Sequence, residues 1–222
     1  EDAETEKLGK EIEAIDKEVG GLAPGGKAFE AAEVRKSVKF SEAMREYQKA
    51  MMGGWDAGEI DKRAEAAKAL APKDVDFAEI RQQMEVQLVV MQYMKAVSGR
   101  GDDSKVGELT KKLESIQTKN AMMLNAIAWM LLTEESIVKR DMPLALKIAK
   151  SAYDASEGKD AAIVDTYARA LSENGKVEDA ITHQKKAIEL AAGMDAAVVS
   201  KMKASLKEYE AKADASKPAV KK

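Results

Sequence analysis

Residues 161–191, AAIVDTYARALSENGKVEDAITHQKKAIELA, decide the fold because they predict two helices joined by a tight turn. Apolar residues recur at helical spacing on both sides of the polar turn ENGK. Small side chains such as Ala168 and Ala180 allow the two helices to approach closely, and Gly175 suits the left-handed backbone position after a helix. A helix pair of this kind cannot bury its apolar face alone, so the pattern predicts that several pairs stack.

Residues 121–157 repeat the same order of residue types and so predict a second helix pair. The matching positions are Leu124, Ile127, Ala128 and Leu131 with Val164, Tyr167, Ala168 and Leu171 in the first helices, and Ala145, Ala149 and Ala152 with Ala180, Gln184 and Ala187 in the second helices. The spacing agrees except for five extra residues in the first turn. We therefore predict copies at 121–157 and 161–192, and a weaker third pair over Gln82–Ser115 with Gly107 at a close-packing position.

Helical signals continue through the rest of the chain, which predicts an all-α protein. Ser41 is suited to cap a helix that ends before Gly53, while Asp76 and Glu79 have the spacing of a capping box. The predicted helices span 28–40, 41–52, 57–70, 76–97, 104–117, 120–133, 142–155, 160–173, 177–191 and 195–212. Short connections make neighbouring helices antiparallel, so we expect helix pairs stacked as a short solenoid with a C-terminal capping helix.

The first residues of the chain predict an amphipathic helix followed by a linker. Residues 4–19 place one apolar stripe on the helix, formed by Leu8, Ile12, Ile15 and Val19. Two interpretations stay open, packing on the same chain or docking onto a partner helix. GGLAPGGK at 20–27 favours a flexible connection. The predicted regions are 1–26 (helix and linker), 27–75 (helical N-terminal region), 76–212 (repeat domain) and 213–222 (flexible tail).

Charge and composition exclude several classes of function. The chain has 36 Lys+Arg against 39 Asp+Glu, and its net charge of −3 provides no broad field that attracts nucleic acid or an anionic membrane. It contains no cysteine, which excludes thiol chemistry by this chain. No apolar run reaches the roughly 18 residues of a membrane span, so we expect a soluble chain without a transmembrane segment. The first residue, Glu1 rather than Met, is compatible with a cleaved leader or a trimmed sequence.

Three stretches carry a resemblance to known families: MMGGWD at 51–56, LNAIAWMLLT at 124–133 and RDMPLALKIAKSAYDASEGKDAAIVDTYARALSENGKVEDAITHQKKAIELA at 140–191. Their order of small residues, large residues and turn glycine resembles the tetratricopeptide repeat. Over residues 41–212 the chain resembles the C-terminal extension of bacterial thioredoxin-like, TlpA-type proteins, in which a Gly-Trp-Asp segment follows the last helix of the thioredoxin fold. No Cys-x-x-Cys occurs here, so the resemblance implies the repeat module without the redox role.

The residues that usually carry catalysis are absent or isolated. GLAPGG lacks the Lys-Ser/Thr ending of a phosphate-binding loop, and GRGDD at 99–103 has the composition of a turn rather than of a calcium loop. His183 is the single histidine and lies between polar and lysine residues, so we expect it to be solvated. We therefore predict no enzyme activity, no metal site and no cofactor.

A protein-binding groove is the best candidate site. In stacked pairs of this type the first helices line the concave side, and their residues that do not pack are Asn125, Trp129, Asp165 and Arg169. Asparagine can bind a peptide backbone, tryptophan offers an apolar anchor, and arginine adds a charged planar fork. Two alternatives stay open: Trp129 is buried beneath the neighbouring pair, and Asp165 with Arg169 forms an ordinary surface ion pair. The 12 methionines predict core packing or a pliable binding surface, and the common stripe of Met84, Met91 and Met94 favours core.

These observations predict a non-catalytic protein-binding module, an adaptor or accessory subunit of a larger assembly. The resemblance and the absence of an initial methionine favour the bacterial cell envelope or periplasm. An alternative function is the non-catalytic C-terminal arm of a thioredoxin-like thiol-disulfide oxidoreductase. A structural subunit tethered by its N-terminal helix is a third interpretation.

Overall fold

The structure is a computed structural model that describes residues 31–216 together with residues 6, 7, 9–11 and 14. All regular elements in these ranges are helical, which confirms the all-α prediction. In chain order the complete helices are α1 (Ala31–Met52), α2 (Ala57–Leu70), α3 (Phe77–Val97), α4 (Val106–Glu114), α5 (Ala121–Thr133), α6 (Met142–Ala155), α7 (Ala161–Glu173), α8 (Val177–Leu190) and α9 (Ala196–Ser216), with a 3-10 turn at Asp103–Lys105. None of the helices in the described ranges is long and apolar enough to cross a bilayer.

The predicted N-terminal stripe and the linker at 20–27 lie outside the described residues. Of the segment before α1, the carbonyl of Gly9 accepts a hydrogen bond from Arg35 Nη2 at 3.0 Å. The chain divides into two compact units, Glu1–Leu88 and Val89–Lys222, and the division falls within α3.

In the first unit, α1 packs against α2 and runs through the predicted break at Ser41. That prediction was wrong because the Ser41 hydroxyl donates to the carbonyl of Ser37, one turn back at 3.0 Å, and so fits inside a continuous helix. The core of this unit contains Tyr47, Met51, Ala64, Ala67 and Phe77. Arg81 on α3 also contacts α2, since its Nη2 lies 2.7 Å from Asp61 Oδ1.

Helix α3 begins after Asp76, whose carboxylate accepts the backbone N–H of Glu79 at 3.1 Å as its spacing predicted. The expected methionine core stripe is only partly correct. Met84 packs against the core of the first unit, but Met91 is 43% exposed. The inward positions of α3 are taken instead by Phe77, Val86, Tyr93 and Ala96.

The second unit contains the two predicted helix pairs. Helix α5 packs on α6 and α7 packs on α8, while α7 also contacts α5 and α6. Alanines make the close contacts, and those of this unit with no exposed surface are Ala128, Ala145, Ala152, Ala168, Ala170, Ala180, Ala187 and Ala191. Helix α9 packs against α8, as expected for a capping helix, and also contacts α7.

Two expectations at the ends of this unit were wrong. A Cβ atom at Gly107 would meet no neighbour within 4 Å, so this glycine is not at a close-packing position. Instead α4 packs against α6, with Lys147 Nζ 3.5 Å from Glu114 Oε2. The predicted tail from Ala213 is still helical to Ser216, because burial of the Ala213 side chain holds the last turn of α9. Residues 217–222 lie outside the described ranges.

Candidate functional site

Helix α5 is exposed on a face that is apolar. Its sequence, AMMLNAIAWMLLT, contains no charged residue, and an uncharged apolar helix is normally covered on all sides. One side is buried through residues such as Leu124 and Ile127, whereas Met122 is 60% exposed and Trp129 is 42% exposed. Met122, Asn125 and Trp129 follow each other at spacings of three and four, so they share one stripe. The exposure of Trp129 excludes its burial beneath the neighbouring helix pair.

Arg169 of α7 covers part of this stripe. Its guanidinium carbon lies 5.2 Å from the centre of the Trp129 ring, which is a cation–π contact. The Nε atom of Arg169 is buried and has no hydrogen-bond partner. Among residues 31–216, no carboxylate forms an ion pair with Arg169. The predicted groove residues on α5 and α7 therefore meet, and the cation at their junction is unpaired.

Asp165 lies one turn before Arg169 but does not form an ion pair with it. Its carboxylate accepts a hydrogen bond from Gln184 Nε2 at 2.6 Å instead. Burial raises the pKa of Asp165, while the hydrogen bond from Gln184 and the positive charge of Arg169 oppose that rise. The interpretation of Asp165 and Arg169 as an ordinary surface pair is thus wrong, because the carboxylate is turned toward α8.

Gln184 was not predicted as part of the site. It is fully buried, and its Nε2 also donates to the backbone carbonyl of Met202 in α9 at 3.1 Å. This one amide connects α7, α8 and α9. The sequence signal was a polar residue at a position where the other helix pair has Ala149, and a polar side chain that replaces a packed alanine must find partners.

Two unsatisfied buried polar atoms belong to side chains of this surface, and a third belongs to Gln184, which is hydrogen-bonded to Asp165. Buried side-chain atoms normally have a hydrogen-bond partner, and each exception needs an explanation. In the described part of the chain four such atoms have none, and three of them are Asn125 Oδ1, Arg169 Nε and Gln184 Oε1. The fourth, the Tyr47 hydroxyl, belongs to the first unit. We call Met122, Asn125, Trp129, Asp165 and Arg169 the Trp129 surface.

Helix α9 closes one side of the Trp129 surface. Burial, together with the nearby charge of Asp165, raises the pKa of Tyr209 to about 12, so its phenol is neutral. Lys212 lies 6.0 Å from the Tyr209 ring centre and 3.4 Å from Glu173 Oε1, so its charge is already paired. Arg169, in contrast, has no ion pair among the described residues.

His183 is half-buried, so the prediction of a solvated position is only partly correct. Its ring packs edge-on against Tyr153 and Tyr167, with centroid distances of 5.3 and 4.9 Å. Its Nδ1 lies 2.8 Å from the carbonyl oxygen of Asp179, which fixes Nδ1 as the donor in the neutral ring. The sequence missed this because the two tyrosines come from two other helices. His183 therefore has a packing role, and no group of metal-ligating side chains occurs among the described residues.

Comparisons with protein-family models, curated proteins and solved structures return no match for this chain. The fold therefore defines the class, an all-α protein with packed helix pairs. The resemblance to tetratricopeptide repeats and to thioredoxin-associated proteins stays a prediction.

Replacing Asp165 with asparagine is expected to stabilise the protein at neutral pH. The asparagine side chain would keep an oxygen that accepts from Gln184 while removing a partly buried charge. Folding raises the pKa of Asp165, so the folded state holds the proton of this carboxyl group more tightly than the unfolded state does. The stabilisation that this gives is full below the unfolded pKa and is lost as the pH rises through the folded pKa. The variant should therefore gain most at high pH, measured by urea denaturation between about pH 4 and pH 8. Glu189→Gln, an exposed change on α8, should show no such gain; a loss of stability in Asp165→Asn at neutral pH would contradict the argument.

Proposed function

We propose that this protein is a non-catalytic protein-binding module and that it holds a segment of its partner on the Trp129 surface. The observation that carries the proposal is the exposed apolar stripe of the uncharged helix α5 next to an unpaired arginine. Exposed large apolar side chains that lie together on one helix face are typical of interaction sites. Arg169 has no ion pair in the described part of the chain, which supports the proposal because a partner can supply the missing anion.

Each side chain of this surface suits a different part of a polypeptide. Trp129 offers a large rigid area, and tryptophan and arginine are the residue types most enriched among binding hot spots. The Asn125 amide nitrogen carries two donors that can bond a peptide carbonyl of the segment, whereas its Oδ1 is buried. Met122 adds an adaptable apolar contact at the end of the stripe. These properties favour a protein ligand over a small polar metabolite.

The finer proposal is an adaptor or accessory subunit of a larger assembly in the bacterial cell envelope. Its support is the resemblance of the helix pairs to tetratricopeptide repeats, which bind other proteins, and the resemblance of the chain to a periplasmic family. No cofactor is needed for such a role.

Replacing Trp129 with alanine tests the proposed function. Truncation of a hot-spot tryptophan typically weakens binding by about 2 kcal/mol, roughly 30-fold. Trp55 provides a matched control, since it is 39% exposed and carries Arg63 at 4.2 Å over its ring, but lies in the first unit. In affinity purification from native extract with quantitative mass spectrometry, the wild type and Trp55→Ala should retain the same proteins. Trp129→Ala should lose them while keeping its helical circular dichroism.

Two outcomes would contradict this assignment of the surface. If Trp129→Ala retains the same set of proteins as the wild type, the partner does not use this surface. If only Trp55→Ala loses the partner, the binding site belongs to the first unit.

A further inference from the structure

Resting on the proposed function, we propose that the partner segment presents a carboxylate to Arg169 and an apolar side chain to Trp129, and that binding is accompanied by protonation of Asp165. The stripe and Arg169 define what the segment must carry. The position of Asp165 behind Arg169 defines how binding responds to pH.

Charge complementarity is the first step. Arg169 has a buried Nε without a partner and, in the described part of the chain, no ion pair. The carboxylates nearest to it along α7 are engaged, Asp165 by Gln184 and Glu173 by Lys212. An arginine fork with free donors binds a carboxylate through two parallel hydrogen bonds. Because α5 has no charged residue, the rest of the contact is apolar.

The geometry fixes the spacing of the two groups. The guanidinium carbon of Arg169 lies 5.2 Å from the Trp129 ring centre. In an extended segment, side chains two residues apart point to the same side and are separated by about 6.5 Å. A segment with an acidic residue and an apolar residue separated by one other residue can therefore place its carboxylate on Arg169 and its apolar side chain on Trp129. The chain of the segment can run in either direction.

The link to protonation follows from the charges that face Asp165. From its own helix it faces Arg169, from α8 the neutral amide of Gln184, and from α9 the neutral phenol of Tyr209. Glu173 and Glu208 also lie near Tyr209, and both are acidic. On α5, Asn125 and Trp129 carry no charge. The ionised form of Asp165 is therefore favoured by the hydrogen bond from Gln184 and, among these groups, by the positive charge of Arg169.

An incoming carboxylate removes this support. It neutralises Arg169 and adds a negative charge beside a carboxylate whose pKa burial already raises. Asp165 then takes one proton from solvent, and binding that takes up a proton strengthens as the pH falls. Uptake of one proton can raise the binding affinity by at most tenfold per pH unit. This rise ends where the carboxylate of the segment is itself protonated, near about pH 4.

A paired peptide array tests the carboxylate. Randomised peptides would carry a fixed Glu-x-Leu, and each sequence would be repeated with Gln-x-Leu. Trp55→Phe leaves Trp129 as the single tryptophan of the protein, so its fluorescence reports binding of the best peptides in solution. We expect the Gln versions to bind at least about tenfold more weakly. Arg169→Gln should bind both versions equally, because the apolar contact with Trp129 remains.

The pH dependence tests the proton. The dissociation constant of the best Glu-x-Leu peptide should fall as the pH is lowered from about 8 to about 5. Asp165→Asn should bind this peptide with a constant affinity over the same range, and more tightly than the wild type at the high end. Calorimetry in two buffers of different ionisation enthalpy should show proton uptake by the wild type that the variant lacks.

Three results would overturn the inference. Equal binding of the Glu and Gln versions would show that the site does not recognise a carboxylate. An identical pH dependence of binding in Asp165→Asn would show that Asp165 does not take up the proton. A protein that binds no peptide of either version would contradict both parts of the proposal. None of these results bears on whether Trp129→Ala loses its native partner, so the proposed function is judged separately.

Discussion

Gly158→Ala is expected to destabilise the second unit by roughly 2–4 kcal/mol. Gly158 has a φ of +61°, a conformation that an alanine adopts only under strain. A Cβ atom there would also lie 2.6 Å from Cζ of Tyr153 and 2.7 Å from Nζ of Lys186. The lysine end can move, but the Tyr153 ring packs against the Tyr167 ring at 5.0 Å and against His183. The alanine must therefore displace this aromatic cluster, which connects α6, α7 and α8.

Gly175→Ala is the matched control for this change. Gly175 also has a positive φ, +76°, but a Cβ atom there would meet nothing within 4 Å. It should therefore show the backbone strain alone, about 1 kcal/mol. Urea denaturation followed by circular dichroism measures both variants. Equal losses of unfolding free energy at the two glycines would show that the tyrosine cluster yields freely, and Tyr153→Phe should recover part of the loss at Gly158 by removing the nearest hydroxyl oxygen.

The helix pairs could be predicted because their signals are local. Asp141 caps α6 through the backbone N–H of Leu144, and α6 begins and ends where the sequence predicted. Ser41 shows the limit of such signals, since a serine can cap a new helix or bond back inside a continuous one. Gly107 shows another limit, because a glycine marks close packing only when a neighbouring element is present.

The candidate surface was predicted in part for the same reason. Periodicity placed Asn125 and Trp129 on one face of α5, and Asp165 and Arg169 on one face of α7. That Arg169 lies over Trp129 whereas Asp165 turns to Gln184 depends on the packing of α5, α7 and α8, which periodicity does not specify. The proximity of Tyr209 on α9 to Asp165 likewise follows only from the folded chain.

Gln184→Ala is expected to cost about 3 kcal/mol, and the loss should grow with pH. Alanine fits this position in the other helix pair, where Ala149 is buried. Here alanine would leave a cavity, and it would remove the amide that donates hydrogen bonds to the Asp165 carboxylate and to the Met202 carbonyl. Without that donor the ionised form of Asp165 is disfavoured further, so the variant is least stable where Asp165 must be ionised. Urea denaturation at about pH 5 and about pH 8 measures the difference.

Gln184→Met separates the two causes, because methionine fills most of the volume of glutamine but has no donor. We expect it to recover the part of the loss that comes from the cavity and to keep the pH dependence. In the background of Asp165→Asn, where the charge is absent, Gln184→Met should lose that pH dependence as well. If Gln184→Met is as stable as the wild type at high pH, the hydrogen bonds of this amide do not stabilise the fold. The pKa of Asp165 would then reflect its burial, opposed by the charge of Arg169, and α9 would be held against α7 and α8 by its apolar contacts.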